Sequence, residues 1–133
     1  MAEPSSRLVL VYGTLRRGQA NDINRLQPPP RFLGRSSVCG TMFHLGRYPG
    51  VVLGGEGVVV GEVYEISQAL ERQLDFIEEV YPQQTGEYVR REVRVSVAGR
   101  ERNCLVYEIN PSRAVGKTLI ASGDWVLDGA ARA

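Results

Sequence analysis

Residues 87–109 read EYVRREVRVSVAGRERNCLVYEI, and this run decides the fold class. Val93, Val95 and Val97 point to one side and Arg94 and Ser96 to the other, the period of two expected of a half-buried strand. Gly99 interrupts the alternation and Glu101–Ile109 resumes it, so the two halves predict a β-hairpin. Other segments read the same way. Arg7–Tyr12 (RLVLVY) is a short apolar run closed by Gly13, as in a buried strand. Phe32–Leu45 mixes β-branched and aromatic residues with Gly34 and Gly40, and predicts one bent strand or two short ones. Tyr48-Pro49-Gly50 is a turn signal. Gly57–Ile66 (GVVVGEVYEI) is strand-like, with Gly61 marking a bulge or a close backbone approach. Helical periodicity is good only from Ser67 to about Val80, where Ser67 can cap and Leu70, Leu74 and Ile77 form one stripe. Asn21 or Asp22 can cap a shorter helix through Leu26, and Pro28-Pro29-Pro30 forces an extended connection after it. The sum predicts one α+β domain over residues 1–133, a small, mostly antiparallel β-barrel with one or two short helices. Residues 1–6 read as a loose tail.

Composition narrows the chemistry. The chain has 133 residues, 16 basic and 15 acidic, for a net charge of +1. Phosphate binding runs on clustered cationic excess, so no nucleic-acid partner is expected. Lys117 is the lone lysine, and the arginines are scattered. They read either as compositional bias or as guanidinium forks for phosphate or carboxylate. The two cysteines, Cys39 and Cys104, and the one histidine, His44, are too few for a usual zinc site or a multi-disulfide scaffold. Both cysteines read as small core residues, and His44, between Phe43 and Leu45, as structural. Ser-His-Asp or Cys-His chemistry would have to recruit His44, which points acid–base work towards a carboxylate or tyrosine. The start MAEPSSR has no signal-peptide pattern, and Leu8–Val11 and Val58–Val60 are too short to span a bilayer. The expected compartment is the cytoplasm, with no membrane partner. Gly55-Glu56-Gly57 followed by Gly61 gives G-x-G-x-x-x-G without a βαβ unit, so it reads as loop or bulge rather than a dinucleotide loop.

Two places can carry function. At Tyr12-Gly13-Thr14-Leu15 a buried strand stops at a glycine, and such a junction can aim several backbone N–H groups at a carboxylate or an oxyanion. Gly13, lacking a side chain, would let a ligand approach the main chain; an ordinary strand–loop junction would look the same. The second place is Glu78. At about 100° per residue, with Leu70 at 0°, Glu78 falls at about 80°, beside the apolar stripe, while Asp75 at about 140° and Glu79 at about 180° face solvent. A desolvated glutamate has a raised pKa, suited to a general base or acid near neutrality. Alternatively Glu78 pairs peripherally with Arg90 or Arg91.

Tyr12-Gly13-Thr14-Leu15-Arg16-Arg17-Gly18-Gln19-Ala20-Asn21 resembles the N-terminal signature of gamma-glutamylcyclotransferase-like proteins, especially the gamma-glutamylamine cyclotransferase branch. Leu74-Asp75-Phe76-Ile77-Glu78 followed by Tyr88-Val89-Arg90 is similar to that family's L-D-x-x-E…Y-x-R element. Gly61-Glu62-Val63-Tyr64, Val106-Tyr107 and Ser122-Gly123-Asp124-Trp125, the last as in small bacterial members, follow in order. The glycine often found after the glutamate is Glu79 here, a second carboxylate able to raise the pKa of Glu78. The resemblance implies a cyclotransferase that converts a gamma-glutamyl amide or peptide to 5-oxoproline and a free amine, with Glu78 as general base and acid and no metal or organic cofactor. It implies substrate binding by Tyr12, Gly13, Thr14, Leu15 and Tyr88, with Tyr88 donating to Glu78 or the substrate. Arg16, Tyr48 and Tyr107 are further polar neighbours of the cavity, and Trp125 is expected to pack back over the barrel. Loops 48–55 and 83–87 would select the leaving amine. The expected partner is a small gamma-glutamyl molecule, and the expected state a monomer or weak homodimer. The alternative is a binding module of the same fold that holds such a ligand without turnover.

Overall fold

The computed structural model describes residues 7–78 and 86–132. The tail 1–6, Glu79, the helix end at Val80 and residues 83–85 of the selecting loop lie outside the described residues.

Among the described residues the strands are β1 (Arg7–Val11), β2 (Arg31–His44), β3 (Pro49–Ile66), β4 (Tyr88–Val97), β5 (Arg100–Ile109) and β6 (Thr118–Leu119). They form one mixed sheet in the order β4-β5-β1-β3-β2-β6. β1 runs antiparallel to β3, with Val11 opposite Glu62, and parallel to β5 at Val9 opposite Leu105; the other ladders are antiparallel. Register shifts between Phe32 and Gly34 and between Cys39 and Gly40 bend the long β2–β3 ribbon. The bend brings β2 towards β4, where the Ser36 hydroxyl donates to the Ser96 carbonyl at 2.5 Å. The sheet thus curls into a half-barrel.

β1 explains why its sequence is apolar without alternation. Leu8 and Leu10 face the barrel interior with Met42, Val51, Val63, Val97 and Trp125. Val9 and Val11 face the other way, under α1 (Gln68–Ile77), with Leu70, Leu74 and Tyr64. A strand covered on both faces reads as a continuous hydrophobic run. The Ser67 hydroxyl caps α1 by accepting from Leu70 N at 3.1 Å, and Asp22 caps a single 3-10 turn, Ile23–Arg25.

Gly61 marks a close approach, because a Cβ there would stand 2.6 Å from Leu10 Cδ2 and 2.7 Å from the Val11 carbonyl. Trp125 does pack back over the barrel, with its ring 5.4 Å from that of His44. Residues 54–57 form the expected bulge, within β3: Val58 lies opposite Cys39 and Leu53 opposite Gly40, so the residues between them have no partner in β2, and Gly54 and Gly55 take φ of 98° and 79°. Two readings change. Pro49 and Gly50 open β3, while the turn lies before them, closed by Leu45 N donating to the Tyr48 carbonyl at 3.0 Å. Cys39 is exposed because Val38 takes the inward position in β2; Cys104 is buried, which pushes its thiol up to about 11. The short elements α2 (Pro111–Ala114) and α3 (Trp125–Arg132), like β6, carry too little periodicity to be read from sequence.

The β4–β5 hairpin turns on Ala98 and Gly99, at φ 51° and 77°. Two consecutive positive φ values are the type I′ geometry, which favours Asn-Gly. Ala98→Asn is therefore expected to stabilise the fold by about 0.5–1 kcal/mol, read as an upward shift in the urea midpoint at constant slope.

Candidate functional site

A cavity of about 410 Å³ opens where the end of β1, the start of β3, the end of α1 and the start of β4 converge. Tyr12, Gly13, Thr14 and Leu15 form one wall, Tyr48 and Pro49 a second, and Glu78, Tyr88 and Tyr107 a third. Of the expected site residues, Arg16 alone does not line it.

The first wall is a tightly wound loop. The Gly13 carbonyl accepts from Arg16 N at 3.0 Å, the Thr14 carbonyl from Asn21 N at 2.9 Å and the Leu15 carbonyl from Ile23 N at 2.9 Å. Among the described residues nothing accepts from the amides of Gly13, Thr14 and Leu15. The loop spends its carbonyls internally and leaves three successive amides for an anion. Gly13 has a packing reason as well as the expected one. A Cβ there would stand 2.7 Å from Pro49 Cγ and 2.8 Å from Pro49 Cδ. Pro49 is in turn anchored, because its carbonyl accepts from the Tyr88 hydroxyl at 2.8 Å. Gly13→Ala is expected to push this wall outward and cost about 1–3 kcal/mol as overpacking. Thermal unfolding measures that cost, and an unchanged melting temperature would refute the contact.

Glu78 is the C-cap of α1, where its N–H donates to the Leu74 carbonyl at 2.9 Å. Burial, and then the negative charge of Glu87, push its carboxyl up to about 7. The negative end of the helix dipole acts in the same sense. The alternative of a peripheral ion pair does not hold. Arg90 pairs with Glu71 and, at 2.8 Å, with Asp75; Arg91 pairs with Glu108 at 2.9 Å. Among the described residues no side chain donates to the Glu78 carboxylate. The second negative charge expected from Glu79 falls outside the described residues, and Glu87 supplies one.

The tyrosines form a hydrogen-bonded frame. Tyr12 donates to the Tyr107 carbonyl at 2.5 Å, and Tyr107 donates to Asp75 at 2.6 Å. Tyr48 donates to Glu87 at 2.6 Å. Tyr88 lines the cavity, but of its two expected acceptors, Glu78 or the substrate, it does not donate to Glu78: its hydroxyl donates to the Pro49 carbonyl and buttresses the wall. Burial drives the hydroxyls of Tyr12, Tyr88 and Tyr107 well above the ordinary tyrosine range, so they stay protonated. Asp75 is also corrected. It is only 6% exposed, because Arg90 and Tyr107 reach it from the β4–β5 side.

Arg16 is corrected for a related reason. It is 4% exposed and committed to Glu62 at 2.9 Å and Asp124 at 2.8 Å, so it braces the loop from behind. Glu87, Asn21 and Arg47 also line the cavity. Asn21 closes the N-terminal signature and Glu87 ends the loop expected to select the amine, but neither is marked as a site residue by its own position; Arg47 sits in a connection to which no periodicity or motif points. Among the described residues no group of three His, Cys, Asp or Glu side chains could hold a metal ion, and no helix is long and apolar enough to cross a membrane.

The chain is similar to known proteins in sequence and in fold. The sequence model of the gamma-glutamyl cyclotransferase, AIG2-like family matches residues 9–127. The gamma-glutamylcyclotransferase family protein YtfP of Escherichia coli (strain K12) is 35% identical over 120 residues, which cover 89% of this chain and 95% of that protein. YkqA of Bacillus subtilis is 32% identical over 120 residues, but the chain spans only 40% of its length. The crystal structure of YkqA superposes with a TM-score of 0.75 at 28% identity, covering 96% of this chain and 42% of that one. That of an aig2-like protein from Mus musculus gives 0.72 at 28% identity, covering 90% of this chain and 88% of that one.

Proposed function

Because the chain belongs to the gamma-glutamyl cyclotransferase, AIG2-like family, we propose that it releases 5-oxoproline from a gamma-glutamyl amide or peptide. The observation that carries this reading is Glu78, a carboxyl raised to about 7 in the same cavity as the amides of Gly13, Thr14 and Leu15, from which nothing accepts among the described residues. The substrate's alpha-carboxylate rests on those amides. Its alpha-ammonium group faces Glu78, which takes a proton. The freed amine attacks the substrate's own gamma-carbonyl, closing a five-membered ring. The carbon–nitrogen bond to the leaving amine then breaks as the proton held on Glu78 passes to that amine. The ring nitrogen sheds its second proton to the freed Glu78 carboxylate, from which it goes on to the amine, which leaves as an ammonium ion.

This route suits the chain's composition. The nucleophile belongs to the substrate, so no serine or cysteine with a histidine partner is needed. Orientation of an intramolecular attack can contribute several kcal/mol. The protonated tyrosines give the pocket a fixed shape with little negative charge of their own. The substrate is a small molecule, processed by a monomer or weak homodimer in the cytoplasm.

The direct test is a screen of gamma-glutamyl amines and dipeptides, read by 5-oxoproline formation. Release from at least one class supports the reading. No release from any, with ligand still bound, would make the protein a binding module.

A further inference from the structure

The cyclotransferase reaction assigns groups to the gamma-glutamyl half of the substrate and leaves the amine half open; any selection of that amine rests on the cyclotransferase reading. Among the described residues lining the cavity, one side chain is cationic, Arg47. It is exposed on the connection from β2 to β3, next to Tyr48 and Pro49. Among the described residues no carboxylate lies within ion-pair distance of its guanidinium. Its neighbours differ. Glu87, the acidic group at the same mouth, accepts from the Tyr48 hydroxyl at 2.6 Å. Arg16, behind the amide loop and outside the cavity lining, is spent on Glu62 and Asp124. Arg47 is thus the cation of the cavity lining, among the described residues, whose donors remain available to a ligand.

The substrate's groups can be matched to those of the cavity. The alpha-carboxylate has three amides and the alpha-ammonium group has Glu78. A guanidinium fork beyond them suits one further carboxylate, which belongs to the leaving amine. We propose that Arg47 is a specificity-determining residue that selects leaving amines bearing a carboxylate.

The experiment compares gamma-glutamylalanine with gamma-glutamylethylamide, which differ only in the carboxylate on the leaving amine. The wild type is expected to favour the first by about tenfold in kcat/KM, the size of one charge-assisted bond at a partly exposed site. Arg47→Gln should bring the ratio close to one, and Arg47→Glu should invert it. The same pair is measured as Kd by calorimetry in Glu78→Gln and in Glu78→Gln/Arg47→Gln, where turnover is not needed. A wild-type ratio near one would overturn the assignment. So would a ratio that survives Arg47→Gln because both ligands weaken equally, which would put Arg47 on the alpha-carboxylate. A preference for the gamma-glutamyl derivative of a diamine, or equal affinity for both ligands, also counts against it. If the wild type turns over neither compound, the wider screen of gamma-glutamyl amines and dipeptides decides the cyclotransferase reading, while the affinity ratio still decides the role of Arg47.

Discussion

Glu78→Gln is expected to lower 5-oxoproline release by about 10²–10⁴-fold, the usual contribution of one general acid–base group, and at the same time to stabilise the protein at pH 8. The two effects share a cause. Burial and Glu87 raise the carboxyl from an ordinary 4.5 to about 7, so the folded state binds the proton more tightly than the unfolded state. The stability this group contributes is fully present below about 4.5, falls as the pH rises, and is gone above about 7. A shift of that size corresponds to at most about 3 kcal/mol, which partial exposure of the side chain reduces to about 1–2 kcal/mol. Glutamine keeps the shape without the charge. Its melting temperature should exceed that of the wild type by several degrees at pH 8, and the gap should close by pH 4. The activity profile gives the complementary sign: a base must be ionised, so wild-type kcat/KM should rise with pH through about 7 and then level off. Full activity in Glu78→Gln would remove Glu78 from the chemistry. A gap of equal size at pH 4 and pH 8 would remove the titration argument.

Much of the fold is legible in the sequence because its determinants are local. Alternation at Val93, Val95 and Val97, the Ser67 cap and the stripe of Leu70, Leu74 and Ile77 each specify an element from a few neighbouring residues. Glu78 is legible for the same reason: one helical turn sets its angle to the stripe. The misses are long-range. Asp75 lies on the flank that a helical wheel assigns to water, and it is covered only because β4 and β5 bring Arg90 and Tyr107 over it. Arg16 adjoins the ligand-facing loop in sequence, yet its partners Glu62 and Asp124 lie 46 and 108 residues away. The Gly13–Pro49 contact spans a sheet register that the sequence does not state. A site built where four elements converge shows its single-element residues to sequence reasoning and hides those that depend on the convergence.

Arg16→Met is expected to cost about 3–5 kcal/mol, a large share of the roughly 5–15 kcal/mol typical of a small domain. The guanidinium is 4% exposed and divides its donors, with Nε on Glu62 and Nη1 on Asp124. Both carboxylates have further duties. Glu62 accepts from Arg17 N at 2.9 Å and from the Tyr64 hydroxyl at 2.8 Å, while Asp124 accepts from the amides of Val126 and Leu127 at the start of α3. Methionine fills the volume but leaves Glu62, 8% exposed, without its cation and the half-buried Asp124 with Arg35 alone, at 3.8 Å, and that uncompensated charge, rather than the lost bonds, sets the size of the effect. Burial alone would raise the Asp124 carboxyl, but the Leu127 amide and the Arg16 guanidinium hold it below the ordinary 3.8. A depressed carboxylate pKa contributes stability above the ordinary value and loses it as the pH falls. Protonation relieves the unpaired anions in the variant, so the deficit of Arg16→Met should narrow in acid. Arg16→Lys retains the charge, but its single ammonium cannot match a fork spanning two carboxylates, so it should fall between wild type and methionine. Urea unfolding at pH 7 and pH 4 measures all three. If Arg16→Met lost less than about 1 kcal/mol, the value expected of an exposed pair, the brace behind the amide loop would be no more than a surface contact.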